Sequence, residues 1–187
     1  MAIRKLEFKE KELGNPLLLF FQDEGRFGRI NNIQRCWCPY KTRAKVGKQF
    51  VREYIYAYTA VCPQNGNNFS LVMPDANTES MNIFLSELSG EYKNNRIILA
   101  MDRAGWHRSE ELKVPDNIHL LFIPSNSPEL NPVEHIWDYI RESFFNNRVF
   151  KSMDTVMDKL CFALKHLYTE KEKVKSMTLF EWIYYAL

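Results

Sequence analysis

Three acidic residues stand where apolar segments give way to a loop or to a helix. Asp23 follows the apolar run LLLFFQ at 17–22, Asp102 follows IILAM at 97–101, and Glu134 opens a helix predicted from about residue 132. A carboxylate that closes a central strand needs a counter-charge or a cation, because burying it unpaired is costly. If the two strands are neighbours, the three acids converge on one site. Three oxygen ligands with open positions suit Mg²⁺ or Mn²⁺ holding phosphate oxygens.

Such a site predicts phosphodiester chemistry. Two ions roughly 3.5–4 Å apart can activate a water or a 3′-hydroxyl on one side of the phosphorus and stabilise the leaving oxygen on the other. The expected cofactor is therefore Mg²⁺ or Mn²⁺, as two ions. The protein then supplies mainly positioning and charge neutralisation.

Each acid also has an alternative interpretation. Asp23 could precede a glycine turn, Asp102 could cap a following helix, and Glu134 could complete a capping box with Asn131 around Pro132. Other acids compete for the same roles, namely Glu24, Asp116, Glu129 and Asp138. The residues alone leave these alternatives open.

The elements that would position the acids follow from the hydrophobic pattern. Apolar or alternating runs predict strands at 17–22, around 36–40, and at 53–61, 69–73, 97–101 and 118–123. Helical periodicity predicts helices at 78–92, 132–146, 152–168 and 170–186. This order predicts one α/β domain over 1–187, with a lead-in at 1–15, a mixed five-stranded sheet, helices on both faces and C-terminal helices over 132–187.

Basic charge is concentrated in one segment. The net charge is +2, yet residues 26–52 contain eight basic residues and no acidic residue, which leaves −6 for the remainder of the chain. The segment is predicted to be a hairpin or loop, and either a polyanion-binding face or a solvated hairpin fits it. Its basic residues are Arg26, Arg29, Arg35, Lys41, Arg43, Lys45, Lys48 and Arg52.

Composition excludes several classes. The longest apolar runs fall far short of the roughly 20 residues that a membrane span needs, so no membrane partner and a cytoplasmic location are expected. The four cysteines form no secreted disulfide framework and are expected to be mostly buried thiols.

Three segments in order carry a family resemblance: FFQDEGRFGR at 20–29, ILAMDRAGWH at 98–107 and IPSNSPELNPVEHIWDYIR at 123–141. They resemble the catalytic blocks of the DDE transposases of the mariner superfamily, in its bacterial insertion-sequence branch. The resemblance implies an RNase H-like fold with three antiparallel strands followed by two parallel ones. It also implies Mg²⁺-dependent cleavage of DNA at transposon ends and strand transfer into target DNA.

The resemblance assigns the catalytic, metal-binding triad to Asp23, Asp102 and Glu134. It makes DNA the expected partner of the basic segment, implies a dimer in a synaptic complex, and implies association with the nucleoid if the chain is bacterial. The chain resembles a catalytic domain alone, since its lead-in is too short for the helix-turn-helix domains of such transposases.

Two residues beside Asp102 depart from that pattern or extend it. Arg103 stands where the family usually has asparagine, and it can pair with Asp102 or hold a DNA phosphate. His107 can serve as an auxiliary group that orients a water or contacts phosphate, although a hydrogen-bonded structural role is favoured. Two alternative functions therefore remain: a catalytically silent DNA-binding module with the same fold, and a nuclease without strand transfer.

Overall fold

A computed structural model of the protein describes residues 14–108, 110–124 and 127–186. The strands are β1 (Leu17–Ile30), β2 (Phe50–Cys62), β3 (Asn67–Met73), β4 (Arg96–Met101) and β5 (Ile118–Phe122). The helices are α1 (Thr78–Glu91), α2 (Val133–Ile140), α3 (Met153–Thr169), α4 (Lys171–Thr178) and α5 (Glu181–Ala186). Residues 1–13 of the predicted lead-in lie outside the described residues.

The five strands form one mixed sheet in the order β3-β2-β1-β4-β5. The pairs β1–β2 and β2–β3 are antiparallel, whereas β1–β4 and β4–β5 are parallel. The strand that contains Asp23 and the strand that precedes Asp102 are therefore neighbours, which is the condition for the acids to converge. The predicted arrangement of three antiparallel strands followed by two parallel ones is confirmed.

Helices cover both faces of the sheet. One buried cluster joins Leu19 and Phe21 of β1 to α2, α3 and α4, and the other joins Phe20 and Tyr58 to α1. Because successive side chains of a strand point to opposite faces, neighbouring residues of β1 serve different cores. For the same reason, the side chains of Asp23 and Glu24 point to opposite faces of the sheet.

The first strand is longer than its sequence predicts. It continues through Asp23 to Ile30, because residues 21–30 pair with the long strand β2, as in Asp23↔Thr59 and Phe27↔Ile55. Asp23 therefore lies inside β1 and does not end it. The segment Asp-Glu-Gly resembles a turn, but the buried Phe27 and the partner strand keep it extended.

Other predicted elements also differ. Residues 31–49 contain no strand, so the strand predicted around 36–40 is wrong: aromatic residues there have no partner strand and are exposed. The helix predicted at 132–146 turns into a short π-helix, Arg141–Phe145, and the one predicted at 170–186 is divided at Leu179. Cys36, Cys38 and Cys161 are exposed, contrary to expectation, and only Cys62 is buried.

Candidate active site

A cavity of about 190 Å³ opens at the carboxyl end of β4, beside the part of β1 where its pairing with β4 stops. It is lined by Asp23, Asp102, Ile123, Pro124, Ser127, Pro128, Asn131 and Glu134. The parallel pairing of β1 with β4 ends at Phe21↔Ala100. Asp23 and Asp102 each lie two residues beyond that last pair, so the two strands deliver them to the same edge of the sheet. The structure thus brings the three predicted acids to one cavity, which lies where ligands of open α/β sheets usually bind.

Trp137 of α2 holds one oxygen of Asp23. Its indole Nε1 donates a hydrogen bond of 2.8 Å to Oδ2, and the Trp137 side chain is only 1% exposed. Gly25 makes this packing possible, because a Cβ there would lie 2.7 Å from the indole Cδ2. The hydrogen bond occupies Oδ2 and leaves Oδ1 of Asp23 for a ligand.

The pKa of Asp23 is raised from 3.8 to about 7. Burial is the largest cause, and the negative charges of Glu24 and Glu134 raise the pKa further, while the Trp137 hydrogen bond opposes the shift. In the metal-free site the charged form of Asp23 is therefore disfavoured below about pH 7. A bound cation would relieve this destabilisation of the charged form.

Asp102 is held from the opposite face of the sheet. Its Oδ1 accepts a hydrogen bond of 2.9 Å from the backbone N–H of Ala104 and lies 3.0 Å from Nδ1 of His107. The other ring nitrogen of His107, Nε2, lies 2.9 Å from Oε1 of Glu24. His107 is 2% exposed, so it is enclosed between two carboxylates and does not face the solvent.

This enclosure determines the charge of the imidazole. Burial lowers the pKa of His107, but the hydrogen bond and charge of Glu24, together with Asp102, more than offset it and raise the pKa above its ordinary value. Nε2 faces Oε1 of Glu24, and Nδ1 faces both the backbone oxygen and Oδ1 of Asp102. The auxiliary role suggested for His107, contact with a water or a phosphate, does not fit a ring whose two nitrogens already have protein partners.

Asn131 fixes the start of α2 beside β1. Its Nδ2 donates a hydrogen bond of 3.0 Å to the backbone oxygen of Gln22, and its Oδ1 accepts one of 3.2 Å from the N–H of Val133. The helix N-cap is Pro132, which has no side-chain cap hydrogen bond, so the capping box that competed for Glu134 does not form. Glu134 lies instead in the cavity wall, one helical turn from Trp137.

The donor set fits a hard divalent cation. Three carboxylates border the cavity, and Asp23 and Asp102 each have one oxygen fixed by the protein, which preorganises the other. Among residues 14–108, 110–124 and 127–186, no three acidic, histidine or cysteine side chains lie close enough together to hold a metal ion by themselves. Mg²⁺ usually keeps several waters and is bound by one or two carboxylates together with substrate phosphate.

Comparison with known proteins adds the family. The profile of the DDE superfamily endonucleases matches residues 18–157. The chain belongs to the DDE superfamily endonucleases. It is also 41% identical over 130 residues to the uncharacterized protein y4pE/y4sA of Sinorhizobium fredii, a match covering 69% of this chain and 96% of the relative.

Solved structures confirm the RNase H-like fold of this DDE endonuclease chain. The Mos1 strand transfer complex aligns with a TM-score of 0.58 at 15% identity, covering 95% of this chain and 60% of that one. The Mos1 mariner paired-end complex with Mn aligns with a TM-score of 0.57, also at 15% identity, covering 95% and 61%. The chain thus spans about three fifths of the length of these transposases.

The basic residues of the DDE endonuclease chain fall into two environments. Arg26 and Arg29 lie in β1 and Arg52 in β2, whereas the other five occupy the loop 31–49 and are exposed. Arg29 is bound within the fold: its Nη1 lies 2.8 Å from Oε2 of Glu53, and its Nε donates to the backbone oxygen of Phe150. Arg26 is exposed, and its guanidinium lies 4.6 Å from the ring centroid of Tyr54.

Arg103 is exposed beside the cavity. Among the described residues no ion pair joins it to Asp102, whose carboxylate faces His107 instead. Of the two interpretations of Arg103, pairing with Asp102 is therefore wrong. Its exposed side chain remains available for the predicted contact with a DNA phosphate.

Sequence reasoning missed the residues that hold the acids. From the sequence, Glu24 is only a rival ligand, and no contact between Trp137 and the site is predicted. The rivals Asp116, Glu129 and Asp138 do not line the cavity. A signal was present for Glu24, because strand alternation places it and Asp23 on opposite faces once β1 is extended. The pairing of Trp137 with Asp23 joins residues 114 positions apart and had no local signal.

In the part of the chain that the structure describes, no helix is long and apolar enough to cross a membrane.

Proposed function

We propose that this chain is the catalytic domain of a transposase that cleaves DNA at transposon ends and transfers the 3′ strand into target DNA, with Asp23, Asp102 and Glu134 as its metal-binding triad. The observation that carries the proposal is the convergence of these acids on one cavity, where the parallel pairing of β1 with β4 stops. Membership of the DDE superfamily endonucleases and the fold shared with Mos1 transposase support it.

Each acid has a defined part in this proposal. Asp23 offers Oδ1 and Asp102 offers Oδ2, since their other oxygens accept hydrogen bonds from the protein. Glu134, in the first turn of α2, borders the cavity from the opposite wall. When bound there, two Mg²⁺ or Mn²⁺ ions supply a nucleophile activated by metal coordination and neutralise the charge of the leaving oxygen.

The loop 31–49 is the proposed contact with the DNA backbone. The loop contains no acidic residue. Its exposed basic residues are Arg35, Lys41, Arg43, Lys45 and Lys48. It also exposes two aromatic side chains, Trp37 at 103% and Tyr40 at 90% of full exposure. Basic residues interleaved with exposed aromatic rings suit a nucleic acid, because cations neutralise phosphates while rings stack on bases.

The solved Mos1 structures are paired-end and strand transfer complexes. By analogy, we propose that this chain also works as a dimer on two transposon ends. The dimer proposal rests on that analogy and on the resemblance of the three sequence blocks.

A cleavage assay on a labelled DNA duplex tests the enzymatic proposal. With Mn²⁺ present, the wild-type chain is expected to nick the duplex, and Asp102→Asn is expected to lose at least about a hundredfold in rate, because the amide cannot replace an anionic ligand. Asp138→Asn is the matched control, since Asp138 lies on α2 but does not line the cavity. Equal cleavage by wild type and Asp102→Asn would contradict the catalytic proposal.

A further inference from the structure

A buried pair of side chains, Glu24 and His107, connects the α1 face of the sheet to the acid cavity. Glu24 neighbours Asp23 in β1 but points to the other face, where its Oε1 accepts from Nε2 of Gln22 at 2.9 Å and lies 2.9 Å from Nε2 of His107. The Glu24 side chain is 8% exposed and that of His107 only 1%. Both side chains of the pair are therefore buried.

The pair ends on one particular oxygen of Asp102. Nδ1 of His107 lies 3.0 Å from Oδ1 and 3.2 Å from the backbone oxygen of the same residue. The Ala104 N–H donates to the same Oδ1. With the Ala104 N–H donating to Oδ1 and the imidazole in ion-pair contact with the same oxygen, Oδ2 is the Asp102 oxygen left for the cavity.

We propose that Glu24 and His107 are positioning residues that hold the Asp102 carboxylate by Oδ1 and make it a single-oxygen ligand through Oδ2. Glu24 fixes the direction of the imidazole, and the imidazole fixes the carboxylate. This inference rests on the proposed function, since it concerns how one of the proposed metal ligands is oriented.

Two alternative roles for the pair fit the geometry less well. Glu24 is not among the residues that line the cavity, so it is not placed as a fourth ligand. His107 cannot approach a phosphate without giving up both carboxylate contacts, which would leave Glu24 buried without its partner. A purely structural pair would need no contact with Asp102 Oδ1, and that contact is what the experiment examines.

Two substitutions of His107 separate positioning from packing. In His107→Asn the amide nitrogen replaces Nδ1 and can still donate to Asp102, whereas in His107→Gln it replaces Nε2 and can reach only Glu24. Both variants remove the ring, so both lose similar packing. Ser89→Ala is a control for loss of a hydrogen bond remote from the cavity, because Ser89 Oγ contacts Asn117 Oδ1 at 2.6 Å beside the opposite ends of the strands.

The readout is Mn²⁺ affinity of the DNA-free protein by titration calorimetry, with the unfolding midpoint of each variant measured in parallel. His107→Gln is expected to weaken Mn²⁺ binding by roughly tenfold or more, and His107→Asn by about threefold or less, because loss of groups that orient a ligand typically costs 10–100-fold. Ser89→Ala is expected to bind Mn²⁺ as the wild type does.

Equal Mn²⁺ affinity of the two His107 variants, whether retained or lost, would overturn the positioning proposal. If neither variant folds, Glu24→Gln and Glu24→Leu give the same comparison: the amide keeps an acceptor for Nε2 and is expected to retain affinity, whereas leucine is expected to lose it. A folded wild type that binds no Mn²⁺ would overturn the proposed function itself, which is a different result from wild-type binding with two equal variants.

Discussion

The indole Nε1 of Trp137 lies 2.8 Å from Oδ2 of Asp23, although the two residues are 114 positions apart. Asp102 is held in a comparable way by Ala104 and His107. Each aspartate thus has one oxygen fixed by a protein donor and one directed to the common cavity. The two anchors come from opposite faces of the sheet, so the spacing of the two free oxygens depends on packing in both cores.

Trp137→Phe removes the donor to Asp23 and keeps an aromatic ring in the same place. We expect Mn²⁺ affinity to fall by about tenfold, because the Asp23 carboxylate loses the group that orients it. Calorimetric titration with Mn²⁺ measures the effect. Trp182→Phe is the control, since Trp182 packs edge-on against Phe21 but does not line the cavity. Similar losses in both variants would assign the effect to packing.

Gly25→Ala should destabilise the fold by about 1–3 kcal/mol, as overpacking of a filled core does. The new methyl group would lie 2.7 Å from the Trp137 indole and 2.9 Å from the Phe27 ring, so the indole must shift away from Asp23. Urea unfolding measures the change. Gly90→Ala in α1 is the matched control: a Cβ there meets no heavy atom within 4 Å, and alanine should stabilise the helix by up to about 1 kcal/mol. A Gly25→Ala protein as stable as wild type would contradict the packing described for Trp137.

Metal-free protein should become less stable as the pH rises from about 4 to about 7. The folded state keeps a proton on Asp23, whose pKa is about 7, while the unfolded chain with its ordinary pKa of 3.8 has released it. Because the folded state then binds more protons, stability falls with rising pH. His107, with a raised pKa, contributes in the same direction. Asp23→Asn should flatten the pH dependence, and the difference between the two curves isolates Asp23. Identical slopes would contradict the shifted pKa.

Mn²⁺ binding should show the opposite trend with pH. The metal competes with the proton for Asp23, so affinity should increase up to about pH 7 and then level off. Addition of Mn²⁺ should therefore restore stability most strongly near neutral pH. Thermal unfolding with and without Mn²⁺ at several pH values measures this, and a stabilisation independent of pH would contradict it.

Charge reversal in the loop 31–49 should weaken DNA binding. The double variant Arg43→Glu/Lys45→Glu replaces two exposed cations. The plot of log affinity against log salt should therefore become less steep, its negative slope shrinking in magnitude by about two. Mobility shifts at several salt concentrations measure the slope. Binding that is insensitive both to salt and to these substitutions would contradict the proposed DNA contact.

Arg29 provides the contrast to that loop. It pairs with Glu53 and donates to the backbone of Phe150, so Arg29→Ala should reduce stability by about 1–3 kcal/mol and leave the salt slope of DNA binding nearly unchanged. Urea unfolding and mobility shifts together measure both effects. A lowered salt slope with unchanged stability would instead place Arg29 at the DNA.

The sequence predicted the sheet because its strands are short apolar runs of clear period. The runs at 17–22 and 97–101 are largely buried on both faces, as their continuous apolar sequences predict, whereas their adjacency in the sheet was a condition of the argument that only the structure supplies. Strand boundaries were less accessible. The length of β1 depends on its pairing with β2. The segment 36–40 has strand-forming residues but no partner strand. Pairing between distant segments is not a property of the local sequence, so neither result could be predicted from it.

The positions of the acids could be predicted, but their environment could not. Asp23, Asp102 and Glu134 follow recognisable apolar runs or a helix start, so they stand out in the sequence. The contacts that orient them come from Trp137, Ala104, His107 and Glu24 through folding of distant segments, as does the link from Asn131 to Gln22. Roles that depend on a single hydrogen bond become visible only in three dimensions.

A crystal structure with Mn²⁺, read from its anomalous difference map, tests the central claim most directly. We expect at least one peak in the cavity, bonded to Asp23 Oδ1 and Asp102 Oδ2 and facing Glu134, with Trp137 and His107 still on the other oxygens. The same crystal of Asp102→Asn should lose or weaken that peak. A well-occupied peak at other acids, or none in the cavity at saturating Mn²⁺, would contradict the assignment of these three residues as metal ligands.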